Sequence, residues 1–191
     1  MQDDIWICLW KGGLYTSSSY YKLHFSEIAV PAPLIWIWKG KSMPKIKFFA
    51  WLLLVDRLNT RGMLRRRNKF LEVGYSCALC PYDLEESTLH LFFDCTSSFS
   101  RWNAIGIQWS QQGSVYDRLQ QQRAVFQGPY FMDLFMIGAW CIWKERNDFI
   151  FNHKMPSLDS WKQRFKNEVG LHLFRIKPSK RSFVMNWLSN L

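Results

Sequence analysis

The chain has 191 residues, of which 48% are hydrophobic, so it can bury a core and is not a wholly disordered protein. Five cysteines are too few for a disulfide scaffold, and an acidic N-terminus excludes the basic-then-apolar pattern of a signal peptide. The net charge is +10 and no apolar run is long enough to span a bilayer, so we expect an intracellular protein of the reducing nucleus or cytoplasm, without a membrane span or a recognisable targeting signal.

Helix-start residues and apolar spacing predict a mainly α fold, because strand signals are weak throughout. In chain order, helices are predicted over residues 17–25, 34–38 (helix or turn), 45–54, 60–70, 85–94, 96–105, 131–151 and 157–177. Pro44 suits the first turn of the third helix, and Thr60 can cap the fourth. Pro178 is expected to end the last one.

The charge is unevenly distributed along these elements. Residues 39–69 carry ten Lys or Arg against a single Asp, whereas residues 70–100 carry five acids and no Lys or Arg. The basic segment is typical of a surface that binds nucleic acid. The alternative is that the two neighbouring segments match their charges within the fold, and the sequence leaves both interpretations open.

Four residues of the donor types that zinc prefers follow the basic segment. Cys77 and Cys80 form a Cys-x2-Cys pair, in which two thiolates across a short turn can bind one face of a tetrahedral ion. His90 and Cys95 can complete the shell. They are five residues apart, about 140° around an ideal α-helix, and cannot share a face of one straight helix. We therefore expect His90 in the last turn of a helix and Cys95 just beyond it.

A Cys3His set fills the tetrahedral shell and leaves no position for water, so the sequence predicts a structural Zn²⁺. The alternative is four unrelated buried residues. Cys8 and Cys141 lie among apolar residues and are predicted to be core thiols. The sequence has no phosphate-binding loop, no nucleophile elbow and no His-Glu-x-x-His pair, so we expect no enzymatic activity and no catalytic residues.

The polar, Gln-rich stretch 108–128 is predicted to be a linker. It would separate a zinc-binding domain, residues 1–107, from a helical C-terminal region, residues 129–191. The fold class expected from these elements is a small helical domain stabilised by the zinc site, followed by a region with a long helix.

Several segments together resemble the zinc-binding domain of plant LINE-type (non-LTR) retrotransposon reverse transcriptases. They are Pro-Lys-Ile-Lys-Phe-Phe-Ala-Trp-Leu-Leu-Leu at 44–54, Asp-Arg-Leu-Asn-Thr at 56–60, the Cys-x2-Cys pair, His-Leu-Phe-Phe-Asp-Cys at 90–95 and Trp-Cys-Ile-Trp-Lys-Glu-Arg-Asn at 140–147. The resemblance implies the same four zinc ligands. The resemblance implies that the protein derives from such an element but has not inherited its catalytic activity, because neither the polymerase nor the RNase H region of that family is present. We therefore expect a stand-alone protein.

Two functions are predicted. The first is a non-catalytic module that binds RNA or DNA through basic helices, with the acidic zinc segment away from the contact. The residues predicted to make this contact are Lys45, Lys47, Arg57, Arg61, Arg65, Arg66, Arg67 and Lys69. The second is a co-opted factor, a regulator or a toxin-like element, that binds a host protein through exposed aromatic residues. Association with a second copy of the chain is a further expectation for that surface.

Overall fold

The computed structural model of the chain describes residues 16–127 and 130–191. The chain divides into two compact units, residues 1–31 and 32–191. In the first unit, helix α1 covers Ser17–Phe25, as the sequence predicts. The Thr16 hydroxyl caps it by accepting a hydrogen bond from the Ser19 backbone N–H at 3.0 Å. Cys8, predicted to be a core thiol, lies outside the described residues.

The second unit is helical. Its helices are α2 (Ala32–Lys39), α3 (Pro44–Leu54), α4 (Arg61–Arg66), α5 (Thr96–Ala104), α6 (Val115–Val125), α7 (Phe131–Asn152), α8 (Leu158–Leu173) and α9 (Pro178–Ser189). No strand forms in the part of the chain that the structure describes, where the extended pairing is one antiparallel bridge between Ser76 and Glu85. The predicted mainly α fold, with long helices in the C-terminal part, is confirmed.

Helix α7 lies at the centre of the core, because every residue from Phe131 to Ala139 is buried. Helices α3 and α8 pack against it, and the Trp102 ring of α5 stacks on Phe135 with centroids 5.7 Å apart. Gly138 allows this close approach, since a Cβ there would lie 2.6 Å from the Trp102 ring. Among the described residues, neither α7 nor any other helix is long and apolar enough to cross a membrane.

Helix α4 begins as predicted and ends earlier than predicted. The Thr60 hydroxyl accepts a hydrogen bond from the Met63 N–H at 3.2 Å. The predicted end was residue 70, but Asn68 adopts a left-handed φ of 54° and the Lys69 N–H donates to the Leu64 carbonyl at 2.9 Å. This pattern closes a helix, because it satisfies the last carbonyls and turns the chain aside.

Two other predicted elements differ from the structure. The helix predicted over 85–94 begins three residues later than predicted, because Glu85 forms the bridge; residues 88–89 are α-helical and continue into a π-helical turn at His90–Asp94. Pro178, expected only to end a helix, occupies the first turn of α9. Proline is well tolerated there because the first-turn N–H groups have no partner within the helix.

Residues 108–128, predicted to be a linker, contain helix α6. The Ser114 side chain caps this helix, and Leu119 is fully buried. The Tyr116 hydroxyl donates to the Leu54 carbonyl of α3 at 2.9 Å, and α6 packs against α2. This segment is polar because most of a surface helix faces water, so composition alone does not distinguish it from a linker.

Candidate metal centre

The Cys-x2-Cys pair lies in a loop that a short hairpin holds in place. Ser76 and Glu85 form the bridge of this hairpin, and the Cys77 N–H donates to the Leu84 carbonyl at 2.8 Å. These contacts fix both ends of the loop. Cys77 is buried, whereas Cys80 is half-buried.

A π-helical turn presents the other two donors. The Cys95 N–H donates to the His90 carbonyl at 2.7 Å, which is the i to i+5 bond of a π-turn. This wider turn brings residue i+5 over residue i, so His90 and Cys95 reach the same point. The expectation that His90 lies in the last turn of a helix, with Cys95 just beyond it, is confirmed, except that this last turn is a π-turn that follows α-helical residues 88–89. His90 is the first residue of the π-turn, and Cys95 directly follows its end.

The geometry of the four donor atoms fits a zinc ion. All four lie within 4.8 Å of one another. The Sγ atoms of Cys77 and Cys95 are 3.9 Å apart, and the Cys80 Sγ lies 3.4 Å from the His90 Nε2. A tetrahedral zinc with bonds of about 2.3 Å to sulfur and about 2.0 Å to nitrogen needs separations of about 3.8 Å and about 3.5 Å. The Cys3His cluster is suited to zinc.

Electrostatics within the cluster favour a thiolate at Cys95. A hydrogen bond from the Cys77 thiol lowers the pKa of Cys95 to about 4, and His90 adds to this effect. The same bond, together with burial, raises the pKa of Cys77. Burial also raises the pKa of Cys80. Because zinc binds thiolates, it displaces the protons that Cys77 and Cys80 hold in the metal-free protein.

Glu86 connects the metal centre to two helices. Its side chain is completely buried and accepts hydrogen bonds from the Ala78 N–H at 3.2 Å, within the Cys-x2-Cys loop. It also accepts from the Arg61 N–H at 2.9 Å, at the start of α4. The Arg146 guanidinium of α7 completes the set at 2.6 Å, and only 5% of its side chain is exposed. One carboxylate therefore holds the metal loop, α4 and α7 together.

The sequence prediction missed this role of Arg146, and also that of its neighbour Glu145. The Glu145 carboxylate pairs with Arg101 of α5 at 2.7 Å, and both side chains are 4% exposed. It also accepts from the Ser160 hydroxyl of α8 at 2.6 Å. The available signal was a pair of opposite charges in a helix that is otherwise largely apolar, since buried charges need partners.

Four arginines that were predicted to contact nucleic acid have partners within the protein. These partners are the Ser76 carbonyl for Arg61 (2.8 Å), Glu85 for Arg65 (3.0 Å), Asp56 for Arg66 (2.7 Å) and the Asn59 side chain for Arg67 (2.7 Å). The charge matching between the two segments that the sequence left open as an alternative thus occurs at Arg65, whereas the partner of Arg66, Asp56, lies within the basic segment itself. Both of those ion pairs are solvent-exposed.

The other four predicted contact residues are Lys45, Lys47, Arg57 and Lys69, which are exposed except for the half-buried Lys47. None of them forms an ion pair with a residue that the structure describes. The Lys45 Nζ lies 5.8 Å from the ring centroid of Trp140, and the Lys47 Nζ donates to the Trp38 carbonyl at 3.2 Å. The eight residues thus lie on α3, on α4 and in the segments that adjoin α4.

Comparison with known proteins finds a family model that matches part of the chain. Residues 15–102 match the family model described as zinc-binding in reverse transcriptase, zf-RVT. The matched range includes Cys77, Cys80, His90 and Cys95. No curated protein and no solved structure matches the chain. The family match and the geometry of the four donors agree on zinc as the metal of this site.

Proposed function

We propose that this protein is a non-catalytic nucleic-acid-binding module that a structural zinc ion stabilises. Its zinc-binding region matches that of reverse transcriptases. The similarity of segments 44–60 and 90–95 to plant LINE-type sequences supports an origin in such an element.

The observation that carries the proposal is the concentration of accessible positive charge before the metal centre. All ten Lys and Arg side chains of residues 39–69 are exposed or half-buried, and Asp56 is the one acid among them. Binding of a polyanion to such a surface is favoured, because the polyanion releases its counterions when Lys and Arg neutralise its phosphates. The metal segment, residues 70–100, adds no positive charge to this surface, because it contains no Lys or Arg and three thiolates with a neutral His leave the zinc centre with a negative charge.

Zinc contributes by fixing the segment that supports this surface. Residues 81–85 of the hairpin are all exposed, so metal binding supplies folding free energy that the packing of the hairpin itself does not. Glu86 transmits this order to α4, because its carboxylate accepts hydrogen bonds from both the metal loop and the first residue of that helix.

A host protein is the second candidate partner, and an apolar groove between α4, the following loop and α7 favours it. The groove has a volume of about 410 Å³ and includes Leu64, Val73, Ile150 and Phe151. Val73 is 71% exposed and Phe151 is 70% exposed. Exposed apolar residues grouped in this way are typical of contacts with a protein partner or with a second copy of the chain.

Salt dependence tests the proposal. The zinc-loaded protein is titrated into fluorescein-labelled 20-nucleotide RNA and DNA strands, and anisotropy gives the dissociation constant at 50 to 200 mM KCl. For about four to six phosphate contacts with a single strand, we expect affinity to fall about 50- to 300-fold over this range. No binding at 50 mM KCl contradicts the proposal.

A pull-down from native tissue, divided into nuclease-treated and untreated halves, separates the two candidates. Partners that disappear on nuclease treatment support nucleic acid. Partners retained after treatment, together with a negative titration, favour the host protein.

A further inference from the structure

The lysines and arginines of this protein differ in whether they form ion pairs. Every ion pair in the part of the chain that the structure describes involves an arginine, and none involves a lysine. The exposed arginines of α4 are thus partly neutralised, whereas the lysines of α2 and α3 keep their full charge. Residues 28–55 contain no Asp or Glu at all.

Three unpaired lysines, two on α3 and one on α7, lie near tryptophans of α2 and α7. The Nζ atoms of Lys45 and Lys144 lie 5.8 Å and 5.9 Å from the ring centroid of Trp140. The Lys47 Nζ donates to the Trp38 carbonyl at the end of α2. Because α3 packs against both α2 and α7, these contacts join into one continuous surface.

Aromatic side chains on the same surface are exposed. Trp38 is 56% exposed and Phe48 is 55% exposed. Phe48 lies beside Trp51, with centroids 5.7 Å apart and ring planes inclined by 30°. Exposed rings have apolar faces available for stacking, and every nucleobase has a flat face that can stack on them.

We propose that this surface, the aromatic–basic face, binds single-stranded nucleic acid. It consists of Trp38, Lys45, Lys47, Phe48, Trp51, Trp140 and Lys144. Unpaired bases stack on Trp38 and Phe48, and the lysines contact the phosphates. This inference rests on the proposed function and places the principal contact on α2, α3 and α7 rather than on the arginines of α4. A duplex binds less well, because its bases are stacked on one another and do not offer their faces to side chains.

The test uses anisotropy with four labelled probes: oligo(U) and oligo(dT) of 20 nucleotides, an abasic 20-mer of deoxyribose phosphate, and a 20-base-pair duplex. In the zinc-loaded full chain, Phe48→Ala and Trp38→Ala should each weaken binding to the base-bearing strands about tenfold and leave the abasic strand within twofold. The matched control is Phe174→Ala, since Phe174 is 77% exposed at the end of α8. It should change no affinity. Zinc content and circular dichroism check that each variant folds.

Charge variants give a second comparison. The triple change Lys45→Gln, Lys47→Gln, Lys144→Gln should weaken binding to every probe. This loss should exceed that of Arg65→Gln, Arg66→Gln, Arg67→Gln. The tighter of oligo(U) and oligo(dT) identifies the strand as RNA or DNA.

Three results would overturn the inference and leave the proposed function intact. They are equal losses on the base-bearing and abasic strands, a duplex bound more tightly than single strands, and a greater loss from the arginine variant than from the lysine variant. Binding to no probe contradicts the proposed function itself, and the aromatic–basic face would then belong to a protein partner.

Discussion

Glu85 and Glu86 are neighbours in the sequence and occupy opposite environments. Glu85 pairs with Arg65 in water, with side chains 44% and 61% exposed. Glu86 pairs with Arg146 in the core, where both charges are removed from solvent. An exposed pair contributes little to stability because water screens it, whereas breaking a buried pair leaves an uncompensated charge.

These two residues form a matched test. Glu86→Gln should lower the free energy of unfolding by about 3 kcal/mol or more, since Arg146 then keeps its charge in the core without a carboxylate. Glu85→Gln should change it by about 1 kcal/mol or less. Urea denaturation of the zinc-loaded protein at pH 7 measures both values. Similar losses for the two variants would contradict the role assigned to Glu86.

At the same scale, the sequence was sufficient to identify the metal donors but not the charge partners. Cys77, Cys80, His90 and Cys95 are close in the chain, so their types and spacing predict a common ion. Arg146 is 60 residues away from Glu86, and nothing local indicates that the two meet. The same limitation applies to Arg101 and Glu145, which are 44 residues apart.

At the scale of elements, local rules predicted how helices begin better than how they end. The cap at Thr60 lies where the sequence predicts it, and α1 and α8 begin within one residue of their predicted starts, because a hydroxyl and nearby N–H groups are sufficient for an N-cap. The π-turn at His90–Asp94 was not predicted. A π-turn is poorly packed on its own, and functional sites are where it is frequently found.

The interface of α7 and α8 makes stability depend on pH. His172 is 3% exposed, and neither ring nitrogen has a hydrogen-bond partner among the described residues. Burial lowers its pKa below the ordinary value, which Asp133 opposes and Arg175 reinforces. Below a pH of about 6.5 the unfolded chain therefore binds more protons at this residue than the folded protein does.

The free energy of unfolding should consequently rise with pH towards about 6.5, and the contribution of His172 should level off above it. His172→Phe should show a smaller difference in this free energy between pH 5.5 and pH 7.5 than the wild type. Urea titrations at the two pH values measure it. His153→Asn is the exposed-histidine control, at a left-handed C-cap that Asn tolerates. An unchanged difference in His172→Phe would contradict the assignment.

At the scale of the whole molecule, buried charge pairs connect parts that the sequence predicted to be separate. Residues 32–191 form one compact unit. The pair between Glu86 and Arg146 joins the metal segment to α7. Helix α6, which lies within the predicted linker, packs against α2. The polar composition of 108–128 comes from the exposed side of α6, so it does not indicate which residues of that helix pack against the core.

We therefore expect residues 32–191 to unfold in one transition. Tryptophan fluorescence and far-ultraviolet circular dichroism should give coincident urea curves for the zinc-loaded protein. Cys95→Ser should abolish the one zinc bound per chain and shift both curves together to lower urea. Cys141→Ser, which changes a buried thiol outside the cluster, should retain the zinc. Two separate transitions would instead support a domain boundary at 108–128.

The sequence by itself determined the mainly α fold, the four zinc donors and the basic segment, because helix periodicity, capping and ligand spacing are local properties of the chain. Only the tertiary structure decided which buried charges pair, as Glu86 does with Arg146 and Glu145 with Arg101, and that Lys45 and Lys144 meet at the Trp140 ring. Those contacts join residues far apart in sequence that packing around α7 brings together.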